Sequence, residues 1–203
     1  MLPRSVYDAF NPLARARYWE YADGEFFGNG FDAWWCDCTE PLDADWRPMS
    51  EGYGWDSHEE RWKGNLALLD GVLGAERSSL FSLYHSKGLY ENQRATTDRK
   101  RVVNLTRSSY AGQQRYSTIT WNGDTHASWK SFAQQIPQGL NFMATGCPYW
   151  TVDIGSFFTR KGREWFRAGD FDAGVDDMGY REYYVRMLQY GAFLPLFRSH
   201  GTD

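Results

Sequence analysis

Two aspartates carry the chemistry this sequence suggests first. Asp37 follows Trp34 and Trp35 in the run WWCDCTEP, and Asp124 follows Trp121 in WNGD. Each is an acid at the end of an apolar, strand-like run, beside an indole. Cleavage of a glycosidic bond needs two carboxyl groups flanking the scissile bond. One attacks while ionised, and the other holds a proton until the leaving oxygen takes it. In the retaining geometry the two stand about 5–5.5 Å apart. Acids at strand ends also cap the loops that follow, and the pattern by itself leaves both readings open. Arg107, in NLTRSS, is a fixed cation after another strand. It suits contact with a carboxylate or with sugar hydroxyls, and equally an ordinary loop ion pair. His200, in FRSHG, is a single histidine that serves structure as readily as binding. There is no Ser-His-Asp order and no G-x-S-x-G elbow. GNG at 28–30 is a turn, since no Gly-rich helix start follows it.

Such residues need strands to position them. FDAWWCD (31–37), RVVNLT (101–106), RYSTITW (115–121), CPYWTVD (147–153) and AFLPLFRS (192–199) read as five strands, with Pro195 counting against the last. Helices are expected over 12–27, with Pro12 in the first turn, over 58–96 as one or two helices, over 128–145 despite Pro137, and over 177–190. A Trp-, Gly- and Pro-rich loop is expected at 41–57. This alternation argues for parallel βαβ units, and the near-continuous apolar strands fit a sheet covered on both faces. Periodicity does not separate a closed barrel from an open doubly wound sheet. The polar residues after the five strands, Asp37, Arg107, Asp124, Asp153 and His200, favour the barrel, whose C-terminal rim holds catalytic groups.

A chain of 203 residues suffices for one domain with a sizeable core. It falls short of the roughly 250 residues of a complete (β/α)8 barrel. The net charge of −4 offers no basic footprint, so nucleic acid is not an expected partner. No run of 18 apolar residues exists, so no membrane span is expected. MLPRSVYDAFNP lacks the apolar core of a signal peptide, which slightly favours the cytoplasm. Most of the 10 Trp, 13 Tyr and 13 Phe suit a core, and some suit a pocket that stacks on sugar rings. Cys36 and Cys38 would point to opposite faces of a strand, and Cys147 makes the count odd. Reduced, partly buried thiols are expected, with no disulfide framework, no metal site and no cofactor.

At these residues the sequence resembles glycoside hydrolase family 31, a family of α-glucosidases, α-xylosidases and relatives acting on other α-glycosides. The resemblance runs through five ordered blocks: FDAWWCDCTEP, RVVNLTRSSYAGQQRYSTITWNGD, SWKSFAQQIPQGLNFMATGCPYWTVDIGSFF, GYREYYVRMLQYGAF and LPLFRSHGTD. It implies an α/β fold, a partial (β/α)8 TIM barrel holding strands four to eight, and one incomplete catalytic domain over residues 1–203. It implies a retaining, exo-acting α-glycosidase with no cofactor, whose partner is an α-glycoside or oligosaccharide. Asp37 then matches the nucleophile of W-x-D-x-x-E-P, with Trp35 lining the pocket and Glu40 as the glutamate behind it. Asp124 matches the general acid/base of W-x-G-D, with Trp121 beside it. Arg107 matches the T-R-S arginine that contacts substrate hydroxyls. Asp153 and Phe157 match the D-I-G-x-F pocket wall, and His200 matches the R-S-H histidine of the −1 subsite.

The chain departs from the family in three respects. Strands one to three and the flanking β domains are not in it, and with them goes an aspartate that binds the sugar 4-hydroxyl. Cys38 stands where many α-glucosidases carry Met or another residue. The segment FTRKGREWFRAGDFDAGVDDMGYRE is longer than in the simplest members and closer to the α-xylosidase-related bacterial branch. The first departure leads to a fragment that is inactive alone, with exposed strand edges that favour homo-oligomers. The other two leave the sugar specificity open, as does the choice among hydrolase, transglycosylase and lyase. The alternative reading is a catalytically inactive sugar-binding or assembly fragment.

Overall fold

The computed structural model describes residues 7–40, 58–162 and 166–202. The loop expected at 41–57, and residues 163–165 of the long segment, lie outside the described residues. The chain divides into two compact units, Met1–Thr118 and Ile119–Asp203.

The first unit holds helix α1 (Pro12–Glu25), strand β1 (Trp34–Trp35), helices α2 (His58–Leu73), α3 (Ala75–Ser78) and α4 (Phe81–Thr96), and strand β2 (Asn104–Thr106). Asn11 caps α1, its side-chain oxygen accepting the Leu13 N–H at 2.9 Å, and Pro12 occupies the first turn, where an N–H is not needed. Phe81, His85, Leu89 and Gln93 recur every four residues along α4 and are all buried, a single stripe of the helix. Leu89 packs with Trp19, Ala22 and Phe27, against Trp34 and Cys36. The polar members of this face find partners. The indole N–H of Trp34 donates to Gln93 Oε1 at 2.7 Å, and that of Trp19 donates to Thr96 Oγ1 at 2.9 Å. Gly88 permits the approach of α1 to α4, since a Cβ there would stand 2.5 Å from Arg15 Cδ. Strands β1 and β2 pair in parallel, Trp34 opposite Asn104 and Trp35 opposite Leu105.

The second unit is built from strand β3 (Thr118–Trp121), helix α5 (Trp129–Ala144), strand β4 (Trp150–Thr151) and helix α6 (Met178–Gly191). Strands β3 and β4 are parallel, with Thr120 opposite Trp150 and Trp121 opposite Thr151. Ser128 and Asp177 cap the two helices, and Pro137 sits inside α5 as expected. The core joins Ala127, Trp150, Val152 and Ile154 to Phe171, Tyr180, Tyr183 and Met187. Each large apolar side chain buried this way contributes about 1.5–3 kcal/mol.

Helix–strand alternation with parallel pairing is therefore correct, but the strands are shorter than their apolar runs. The fifth differs most. Helix α6 continues to Gly191, and 192–196 turn instead of extending. Pro195, which has no N–H to give a ladder, lies in that turn. What remains of the strand is a parallel bridge of Ile154 to Ser199, supported by Thr151 Oγ1 donating to Leu196 O at 2.7 Å. Beyond β4, Lys161 and Ala168 form an antiparallel bridge. At its base a Cβ on Gly169 would stand 2.1 Å from Thr159 O, so only glycine fits. Cys36 and Cys38 are half-buried and Cys147 is buried. Among the described residues no helix is long and apolar enough to cross a membrane, and no His/Cys/Asp/Glu group is placed to hold a metal ion.

Candidate functional site

Each unit carries its own share of the residues singled out from sequence. In the first, β1 delivers the chain into a tight turn, Asp37–Cys38, with Cys38 in the left-handed region at φ 52. Asp37 Oδ1 accepts the Cys38 N–H at 2.7 Å, which fixes the carboxylate against its own turn. Its side chain stays 53% exposed. Trp35 is likewise exposed. Arg107 leaves the end of β2 and reaches three groups of that turn. Its Nε donates to Glu40 Oε1 at 2.5 Å and stands 3.2 Å from Asp37 Oδ1, and its Nη2 donates to Cys38 Sγ at 2.9 Å. Burial alone would depress the Arg107 pKa, but the facing charges of Glu40, Cys38 and Asp37 reverse that and raise it. Burial raises the Glu40 pKa, against the pull of Arg107.

Sequence reasoning missed what stands behind this cluster. Ser108 donates its hydroxyl to Glu40 Oε2. The Ser108 carbonyl accepts from Ser82 Oγ at 2.9 Å and from Gln113 Nε2 at 3.0 Å. Gln113 is wholly buried, and its Oε1 takes the Tyr110 N–H at 3.0 Å. Thr39 and Thr106 share a hydrogen bond of 2.6 Å. Four neutral polar side chains, Ser82, Gln113, Thr39 and Thr106, thus bond one another beneath the Asp37–Glu40 turn and hold Ser108 by its main chain. Ser108 adjoins Arg107 in sequence, which was the available signal; nothing in the pattern marked Gln113.

In the second unit Asp124 stands exposed on the turn after β3, preceded by Gly123 at φ 76. The turn is closed by a parallel bridge of His126 to Phe158. Asp153, beyond β4, is fully buried and pairs with Arg198, whose Nη2 is 2.5 Å from Asp153 Oδ1. The Arg198 guanidinium lies 5.3 Å from the ring centroid of buried Trp121. Burial lowers the Arg198 pKa, and Asp153 opposes this only in part. Arg198 was not singled out from sequence, although it opens the R-S-H run that named His200. The D-I-G-S loop after β4 is braced by α6: Gly155 and Ser156 both take positive φ, Ser156 Oγ meets Tyr183 OH at 2.7 Å, and Tyr180 OH donates to Gly155 O at 3.2 Å. Phe157 and His200 are ring neighbours at 5.2 Å. His200 also lines an open cleft of about 650 Å³ with Ile154, Tyr180, Arg181, Tyr184 and Ser199. Neither Asp124 nor Asp153 lines that cleft.

Residues 3–203 match the model of the glycosyl hydrolases family 31 TIM-barrel domain. An alpha-xylosidase of Saccharolobus solfataricus is 37% identical over 197 residues, which cover 96% of this chain and 23% of that protein. The crystal structure of a GH31 alpha-xylosidase from Xanthomonas citri superposes with a TM-score of 0.71 at 32% identity, covering 98% of this chain and 20% of that one. A GH31 alpha-xylosidase from a soil metagenome, solved in complex with xylose, gives 0.66 at 25% identity, covering 96% and 24%. The chain spans about a quarter of the length of the curated relatives it matches.

Proposed function

This chain belongs to glycosyl hydrolase family 31, and from that premise we propose that it carries the catalytic acids of a retaining, exo-acting α-glycosidase. Asp37 is the nucleophile and Asp124 the general acid/base. Asp37 attacks the anomeric carbon as the glycosidic C–O bond breaks, and Asp124 gives its proton to the leaving oxygen. Asp124, now a carboxylate, then takes a proton from water. That water attacks the anomeric carbon, and Asp37 departs, so two inversions restore the starting configuration. Arg107, Trp35, Trp121, Asp153, Phe157 and His200 shape the sugar site, and Glu40 supports Arg107. The substrate is an α-glycoside. The xyloside type is favoured over the glucoside type, because relatives named for α-xylosidase activity are 37% and 32% identical, against 28% for an alpha-glucosidase that covers the chain as fully.

The observation that carries the reading is the state of Asp37. It is the one acid of its cluster left half-exposed, while its Oδ1 is pinned by the Cys38 N–H and faces Arg107. An acid that merely capped a loop would not also need a buried guanidinium turned on it. Trapping tests this: a fluorinated α-xylosyl fluoride should leave a glycosyl ester on the peptide that contains Asp37, detected by mass spectrometry. A label on any other carboxylate, from a preparation that turns over nitrophenyl α-xyloside, would reassign the nucleophile.

A further inference from the structure

The Arg107 guanidinium faces Asp37 while its Nε is held by Glu40, the more buried acid of the cluster. Its two oxygens are used differently. One receives Arg107 Nε, and the other receives the hydroxyl of Ser108. Ser108 is itself immobilised on both sides. Its N–H donates to Thr106 Oγ1 at 3.3 Å, and its carbonyl is gripped by Ser82 of α4 and by buried Gln113. The side chain is thus aimed at Glu40 by a scaffold with no charge of its own. We propose that Ser108 is a positioning residue of the catalytic centre: its hydroxyl holds the Glu40 carboxylate in the orientation that keeps Arg107 turned on Asp37. This rests on Asp37 being the nucleophile.

The hydrogen bond also acts on charge. A hydroxyl donated to a carboxylate stabilises the ionised form. The charged or titratable groups facing Glu40 are Arg107, from the end of β2, and Asp37, from its own turn; its own backbone N–H also supports the ionised form. Arg107 favours the carboxylate, whereas Asp37 and burial oppose it. Without the hydroxyl, Glu40 takes its proton at higher pH, and a protonated Glu40 no longer fixes the guanidinium.

Two readouts on the full chain separate the parts of this inference. The first is NMR of protein isotope-labelled at the glutamate carboxyl carbons and the arginine side-chain nitrogens. Ser108→Ala should raise the Glu40 titration midpoint by about one pH unit, the effect of losing one hydrogen bond to a carboxylate. It should also speed exchange of the Arg107 Nε–H, and Ser108→Thr, which keeps the hydroxyl, should restore both. An unmoved midpoint in Ser108→Ala, or no recovery in a folded Ser108→Thr, overturns the role. The second readout is the pH profile of kcat/KM on nitrophenyl α-xyloside, whose acid limb should move up with Glu40 in Ser108→Ala. If the NMR changes occur and the limb stays put in an active preparation, the brace is real but the Asp37 centre is not the catalytic one. A purely structural serine would lower the yield of folded protein and leave both readouts at their wild-type positions.

Discussion

Two arginines, Arg107 after β2 and Arg198 beside the Ile154–Ser199 bridge, solve opposite problems. Arg107 in the first unit faces Glu40, Asp37 and Cys38, and these outweigh the penalty of its burial, so its pKa rises. Arg198 in the second unit faces the fully buried Asp153, and burial prevails, so its pKa falls. One cation shared between two acids leaves one of them, Asp37, with exposed surface to spare. One cation closed on one acid, under an indole, leaves neither. The first arrangement presents an exposed carboxylate, the proposed nucleophile, whereas the second closes a buried ion pair against Trp121. An arginine–aspartate pair is therefore not by itself a sign of chemistry; what matters is whether an acid is left over.

The largest effect should come from Asp37→Asn. The amide cannot form the glycosyl ester, so in a protein carrying this chain at the full length of its relatives, turnover of an aryl α-xyloside should fall by about 10⁴-fold or more. The urea midpoint should barely move, since Arg107 keeps Glu40 and the replaced side chain is half-exposed. Asp153→Asn should do the reverse in emphasis. It strands a buried guanidinium, and removing one partner of a buried pair costs about 3–5 kcal/mol, readable in urea unfolding. A loss below about 1 kcal/mol for Asp153→Asn, or a large one for Asp37→Asn, would collapse the distinction drawn between the two arginines.

Acid should separate the units next. His85 is buried in the first unit, with Tyr7 OH on its Nδ1 at 2.7 Å, and burial lowers its pKa to about 4 from 6.5. The unfolded chain therefore takes up this proton first as pH falls. The contribution of neutral His85 is complete above pH 6.5 and is lost progressively between 6.5 and 4, by about 3 kcal/mol at most. Hydrogen exchange at pH 5 should show α4 amides losing protection before those of α6. Equal loss in both helices would mean that His85 does not set the acid limit of its unit. The smallest effect is Gly123→Ala, at φ 76, which should cost about 1–2 kcal/mol and shift the turn that carries Asp124. Unchanged stability and activity would show that this turn tolerates an ordinary residue.

The sequence announced the helices and the strand positions well, and the reason is visible in particular residues. Asn11-Pro12 and Ser128 are local start signals, and the stripe Phe81, His85, Leu89, Gln93 follows from helical spacing alone. The strand lengths were overread because an apolar run reports burial and not ladder pairing: Val102 is buried outside β2, and Val152 and Ile154 beyond β4. Asp37 and Arg107 were legible because an acid and a cation after apolar runs are conspicuous, and Glu40 was reached through the resemblance to the family motif. Their association was not, since it depends on β1 and β2 lying side by side. Gln113 and Thr39 were invisible for a different reason. Uncharged polar residues are ordinarily on the surface, and only tertiary structure shows that these are buried and mutually satisfied.

The contact at Gly169 bears on how this protein can change over generations. With no room for a Cβ against Thr159 O, that position admits a single residue, and the two ends of the arm from Thr159 to Gly169 are held together whatever lies between them. An insertion beyond the Lys161–Ala168 bridge should therefore leave the two ends in place. The clasp thus confines drift in length to the arm. It gives the lineage a place to experiment with a longer or shorter lobe while Asp153, a few residues upstream, keeps its address.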